Sequence, residues 1–177
     1  MTAIMPDGFV TPQLDVRNWR SDLTDPLARD RIEKSLAEIL TLPVLEHLPP
    51  PLQLGAGPDA VSSWIDARAV ESEVLLVRLR DDGRLVGLII LAVDAGRGDA
   101  PALHIGYLLG EAVWGRGLAS EMVSGLVEAA SDGPKLRLIG GVDRSNPASA
   151  RVLRKAGFVI YPELSQAEVY MYVLETG

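Results

Sequence analysis

The sequence predicts a mixed α+β protein, with antiparallel strands leading into a central β-α-β crossover. Three observations carry this. Apolar residues recur at three-to-four spacing in "DPLARDRIEKSLAEIL" and again after Gly117. Two leucine-rich and β-branched runs flank Asp82-Gly83, a hairpin turn signal. A strand, a glycine-punctuated loop and a helix follow one another in "LHIGYLLGEAVWGRGLASEM", residues 103–122. With 177 residues the chain is expected to form one domain, 1–177, with its core over about 11–175 and enough length to bury a real interior.

Taken in order, the elements justify that class. "TPQLDVRNWR" is an opening strand. From Asp25, the residues Leu27, Ile32, Leu36, Ile39 and Leu40 define the apolar stripe of a first helix. "LPPPLQLGAGPD", residues 48–59, is an irregular loop inside the domain, and Ala60 to Val70 is a second helix. "EVLLVRLRDDGRLVGLIILAV" is the hairpin, and a glycine- and charge-rich loop, "DAGRGDAP", leads to the strand His104 to Leu109. The next helix carries Leu118, Met122, Leu126 and Ala130 on one stripe, widened by Ala119, Val123 and Val127. "KLRLIGGV" is a strand ending at Gly140 and Gly141. A short helix follows with both ends marked: Asn146 as N-cap, Pro147 in the first turn, Gly157 in the left-handed position past the end. Two strands, around Phe158 to Tyr161 and Val169 to Leu174, close the chain.

Composition narrows the function. The chain has no cysteine and two histidines, His47 and His104, which excludes a cysteine nucleophile and argues against a metal site. Its formal net charge of −7 disfavours a nucleic-acid binder. The apolar run Leu85 to Val93 is about half of the roughly 20 residues that a bilayer crossing needs, and "MTAIMPDGFVTPQ" lacks the pattern of a signal peptide. A cytoplasmic protein with no membrane partner is therefore expected.

The loop between His104 and the following helix has the makings of an anion site. The first N–H groups of a helix have no intrahelical partner and carry the positive end of the helix dipole. Gly115 and Gly117 allow close backbone approach, and Arg116 adds a cation. A tight strand-to-helix turn with glycines for geometry alone is the competing reading. The residues do not fit a P-loop, since Leu118 and Ala119 stand where lysine and serine or threonine belong, nor a dinucleotide fingerprint.

With its surroundings the loop resembles the acyl-CoA-binding segment of the GNAT superfamily of N-acetyltransferases. That signature, Gln/Arg-x-x-Gly-x-Gly/Ala, is approached by Trp114, Gly115, Arg116, Gly117, Leu118 and Ala119, with tryptophan in the first place. The tryptophan, "TPQLDVRNWR", "LVGLIILAV" and "NPASARVLRKAGF" are similar to the RimJ/RimL-like branch, so the likeness runs from Thr11 to Leu174 and is least over His47 to Asp59. The resemblance implies a GNAT fold: a mixed sheet of about seven strands, splayed into a V between the fourth and fifth, with about four flanking helices. It implies acetyl-CoA as co-substrate and no metal. The pantetheine arm would lie in the V on main-chain groups of about Leu108 and Leu109, with the pyrophosphate on the N–H groups of Gly115 to Ala119. Tyr107 and Trp114 would line the cofactor or acceptor site, or pack in the core. Arg151 and Lys155 would reach the adenosine 3′-phosphate, or simply be solvated.

Acetyl transfer needs a neutral amine, a polarised thioester carbonyl and a stabilised leaving thiolate. Many relatives place a tyrosine seven residues after the helix-capping asparagine; here that position is Leu153. The branch pattern Asn-x-x-Ser is met by Asn146 and Ser149, which implies Ser149 as donor to the sulfur and Asn146 as a pantetheine or loop contact. The plain reading is a cap and a first-turn serine. His104 stands where the family often has a glutamate base, and is otherwise a structural strand histidine. Glu111, Glu163 and Glu168 are further acidic candidates. The expected activity is transfer of the acetyl group of acetyl-CoA to a primary amine, either a protein N-terminus or a small molecule, by direct attack in a ternary complex. A non-catalytic acyl-CoA sensor and an enzyme for longer acyl-CoA are the alternatives, and the branch allows a homodimer.

Overall fold

The computed structural model describes residues 5, 7–94 and 100–177. Residues 1–4 and 6 of the opening segment, and 95–99 of the "DAGRGDAP" loop, lie outside the described residues. The strands are β1 (Gly8–Val10), β2 (Leu14–Asn18), β3 (Glu73–Leu79), β4 (Leu85–Asp94), β5 (Ala102–Leu109), β6 (Arg137–Asp143), β7 (Val159–Ile160) and β8 (Val169–Glu175). The helices are α1 (Arg20–Thr24), α2 (Pro26–Ile39), α3 (Leu42–Leu45), α4 (Ala60–Glu71), α5 (Leu118–Ser131) and α6 (Pro147–Lys155). All strands form one mixed sheet in the order β1-β2-β3-β4-β5-β6-β8-β7, parallel only between β5 and β6.

This is the expected α+β architecture with one more strand and two more helices. β1, α1 and α3 span three, five and four residues, too short to show a period. The splay consequently falls between β5 and β6, the fourth and fifth strands of the sequence reading. β6 does not stop at its glycines but runs through them to Asp143. The reason is packing: a Cβ on Gly140 would sit 2.9 Å from Leu153 of α6, so the missing side chain lets that helix settle onto the strand.

Side chains alternate across the sheet and build two cores. On one face Leu103, Ile105 and Leu109 of β5 pack with Leu118, Met122 and Leu126 of α5 and with Ala150 and Leu153 of α6. On the other, Leu108 joins Ile32, Leu36 and Ile39 of α2, Trp64 and Ile65 of α4, and Leu52. Leu52 ends a 3-10 turn, Pro50–Leu52, so the proline-rich patch read as irregular is anchored into this second core. Leu27, placed on the α2 stripe by spacing, is instead 70% exposed, because it lies in the first turn beyond the edge of the sheet contact.

Caps and turns follow the local chemistry. The Asp25 side chain accepts from the N–H of Leu27 to start α2, and Asn146 accepts from the N–H of Ser149 to start α6. Gly83 in the hairpin and Gly157 after α6 have φ of 72° and 99°, a region that L side chains rarely adopt. Glu121 of α5 ties the β1–β2 turn down. It accepts from the Thr11 hydroxyl at 2.6 Å and from the Gln13 backbone and side-chain N–H groups at 2.7 Å each. Burial pushes its carboxyl up, but these three bonds outweigh it and leave the group below the usual range.

Candidate active site

β5 and β6 are in register only at Ala102↔Arg137, Leu103↔Leu138 and His104↔Ile139. From Ile105 to Leu109 the β6 side of β5 has no strand partner among the described residues, while its other side stays paired with β4 throughout. The N–H of Gly110 donates to Val86, which sets the phase of the antiparallel pair. Even-numbered residues of β5 spend their main-chain groups on β4, and Ile105, Tyr107 and Leu109 turn theirs into the V. Of the two residues expected to offer main-chain groups there, Leu109 therefore faces the V and Leu108 faces β4. The Leu109 carbonyl already accepts from the Trp114 indole N–H at 2.7 Å.

The V opens toward the loop that leads into α5. Glu111–Val113 make one 3-10 turn, and then Gly115 and Gly117 both take a φ of 75°. A Cβ on either would meet nothing within 4 Å, so backbone conformation rather than crowding requires glycine at these positions. Gly117 is the N-cap of α5, and no side chain caps this helix. Leu118 is buried and anchors the first turn, while Arg116 is exposed and Trp114 is 51% exposed. An uncapped helix start beside an exposed cation, at the open end of an unpaired strand edge, suits an extended ligand that ends in phosphate.

Across the V, α6 sets Ser149 against β5. The Ser149 hydroxyl and the Tyr107 hydroxyl lie 2.7 Å apart, and the Ser149 carbonyl is 3.4 Å from the same phenol. Burial pushes the Tyr107 phenol up to about 12, against the opposite pull of the Ser149 hydrogen bond. Asn146 lies one turn back and is engaged as the cap. Leu153, at the position where many relatives carry tyrosine, is fully in the core. Arg151 and Lys155 are exposed on α6.

His104 lies on the opposite face of β5 from Tyr107, by strand alternation, on the side covered by α2 and α4. Its Nε2 is 3.1 Å from Oδ2 of Asp94 on β4, and both side chains are partly exposed. The structure thus brings Tyr107 and Ser149 together and holds His104 apart, with its own carboxylate neighbour. At the end of β6, the Ser145 hydroxyl and backbone N–H hold the Asp143 carboxyl below its usual range, with a smaller contribution from His47. Glu111 accepts a hydrogen bond from the Thr41 hydroxyl. Glu163 and Glu168 are exposed between β7 and β8. Among the described residues no group of acidic, histidine or cysteine side chains could hold a metal ion, and no helix is long and apolar enough to cross a membrane.

Sequence reasoning missed three of these contacts. In sequence Asp94 reads as loop, Tyr107 as lining or core and not as a hydroxyl aimed at Ser149, and nothing local marks the Glu121 clamp. Alternation could have placed Tyr107 and His104 on opposite faces; no sequence signal reports that β5 and α6 meet at Ser149.

A parted parallel strand pair opening on an uncapped helix is an arrangement suited to a long anionic ligand held through main-chain groups. The acetyltransferase (GNAT) domain model matches residues 14–159, and the chain belongs to that family. Among solved structures, it is similar to a GNAT-family acetyltransferase from Bacillus anthracis, with 17% identity, a TM-score of 0.69, and coverage of 94% of this chain and 97% of the other. Mycobacterium smegmatis RimJ in complex with a CoA-disulfide gives 20% identity, a TM-score of 0.66, and coverage of 99% and 90%. RimL, the ribosomal L7/L12 alpha-N-protein acetyltransferase, in complex with coenzyme A gives 18% identity, a TM-score of 0.67 and coverage of 97% of both chains. No curated protein sequence matches the chain significantly.

Proposed function

We propose that the chain is an acetyl-CoA-dependent N-acetyltransferase that acts on a primary amine by direct attack in a ternary complex. The observation that carries this is the V itself. The unpaired edge of Ile105, Tyr107 and Leu109 runs out at the bare start of α5, next to Gly115, Arg116 and Gly117. Acetyl-CoA supplies the acetyl group as a thioester. The V-facing N–H groups of β5 hold the pantetheine as an added strand and aim a donor at the thioester carbonyl, with Leu108 and Tyr107 walling the two faces. The N–H groups from Gly115 to Ala119 take the pyrophosphate, Arg116 adds charge, and Trp114 covers the loop. Ser149 donates a hydrogen bond to the leaving sulfur, with Asn146 fixing its turn, and His104 takes the amine proton from the other face.

The RimJ/RimL-like reading is supported by Trp114 before the glycines and by Asn146 and Ser149 on α6, and RimJ and RimL structures bound to coenzyme A have this fold. We read the chain as one catalytic domain of a cytoplasmic enzyme, with a protein N-terminus or small-molecule amine as acceptor and a homodimer as an assembly that the branch allows. Leu153 in place of the commoner tyrosine favours one second reading, a non-catalytic acyl-CoA sensor. Titration calorimetry with acetyl-CoA tests the shared claim, and absence of binding at millimolar ligand would overturn it. Turnover over an amine panel then separates enzyme from sensor.

A further inference from the structure

Resting on the acetyl-CoA reading, we infer that Tyr107 is a positioning residue: its hydroxyl donates to Ser149 Oγ and so turns the single Ser149 proton toward the leaving sulfur. A serine hydroxyl has one proton and two acceptor sites. At 2.7 Å from Tyr107, Ser149 either spends that proton on the phenol or receives the phenol's proton and keeps its own free. Only the second arrangement leaves Ser149 with a donor for a thiolate.

Either hydroxyl can be the donor at this separation, and a thiolate beside Ser149 favours the second arrangement because it accepts the proton that Ser149 then keeps free. The Tyr107 hydroxyl has two acceptors within reach, Ser149 Oγ at 2.7 Å and the Ser149 carbonyl at 3.4 Å, and both belong to the same residue on α6. The phenol is packed against the core of α5 and α6, and that burial keeps it in its protonated, donating form well above neutral pH. The Asn146 cap holds the Ser149 backbone, so the serine cannot rotate its turn away. This supplies what Leu153 cannot, and it does so from the strand side of the V instead of from the helix.

The bond changes are then complete. The amine nitrogen forms the new C–N bond, the C–S bond breaks with its electron pair on sulfur, and the amine proton goes to His104. Ser149 stabilises the thiolate by hydrogen bonding, and the sulfur is protonated by solvent as coenzyme A leaves. Tyr107 and Ser149 keep their own protons throughout.

The test needs coenzyme A alone and no acceptor. A donor aimed at sulfur favours the thiolate and lowers the pKa of the bound thiol, which thiolate absorbance follows across a pH titration. Tyr107→Phe is expected to raise that pKa by about one unit while changing the affinity for coenzyme A less than about threefold. Ser149→Ala is expected to raise it similarly, and the double variant to add little to Ser149→Ala. A bound-thiol pKa that Tyr107→Phe leaves at the wild-type value while Ser149→Ala moves it would overturn the inference alone. Equal shifts that add in the double variant would also overturn it. Wild-type protein that binds no coenzyme A would overturn the acetyl-CoA reading itself, and the inference with it.

Discussion

The Trp114 indole N–H donates to the Leu109 main-chain oxygen over 2.7 Å, bridging the last residue of β5 to the loop before α5. It ties that loop to the edge of the V, with the ring half exposed. Trp19 and Trp64 are buried at 2% and 5% exposure, so Trp114 is the tryptophan placed to sense a ligand. Coenzyme A binding is expected to change the intrinsic fluorescence of the wild-type protein. Trp114→Phe should abolish that change while the fold, followed by circular dichroism, persists; a full response in the variant would refute this placement.

Gly115 and Gly117 share a φ of 75° with open space where a side chain would project. Alanine at either position pays only the left-handed backbone cost, about 1–2 kcal/mol per residue. Gly117→Ala should lower the thermal midpoint by several degrees and weaken acetyl-CoA binding about tenfold, because the loop relaxes to a conformation that turns its N–H groups away. Unchanged affinity in calorimetry would separate the glycines from phosphate capture.

Arg116 is exposed and makes no ion pair among the described residues. Its contribution to binding should be a screened surface charge effect of about 1 kcal/mol or less. Arg116→Ala is therefore expected to weaken coenzyme A severalfold at low salt and much less near molar salt. A loss that salt does not touch would mean the arginine acts through loop structure.

His104 and Asp94 meet at 3.1 Å across β5 and β4. If His104 accepts the amine proton, His104→Gln should remove the acid limb of the kcat/KM profile for an acceptor, and Asp94→Asn should displace it. KM for acetyl-CoA should be little affected, since His104 lies on the face away from Ser149. An unmoved profile in His104→Gln would assign proton removal to water.

Glu121 gains stability from bonds to Thr11 and Gln13 that favour its ionised form. Because its carboxyl is held below the usual range, that stability is full above the unfolded pKa and is lost as pH falls through the folded one. Glu121→Gln should cost about 1–2 kcal/mol at neutral pH in denaturant melts and less in acid. A penalty independent of pH would show that the clamp works through shape alone.

What could be read without coordinates was whatever repeats or caps. The stripe from Leu118 to Ala130, the turn at Gly83 and the two ends of α6 each carry a local physical signature and stand as expected. At Gly115 and Gly117 the sequence offers two readings, close approach to a phosphate and a turn with glycines for geometry, and the φ of 75° at both accounts for the second. Relations across the fold were not legible. Tyr107 and Ser149 are 42 residues apart and meet only because α6 crosses back over β5. Gly140 read as a strand end because nothing in a sequence distinguishes a stopping glycine from one that admits Leu153.

That last contact bears on how freely this chain could exchange chemistries with its relatives. The commoner helix tyrosine would have to enter at position 153, where the leucine is sealed against Ile105 and the bare backbone of Gly140. Installing a phenol there means overfilling a closed interior, with a penalty of about 1–3 kcal/mol. A single substitution at 153 therefore does not convert one proton arrangement into the other without a loss of stability.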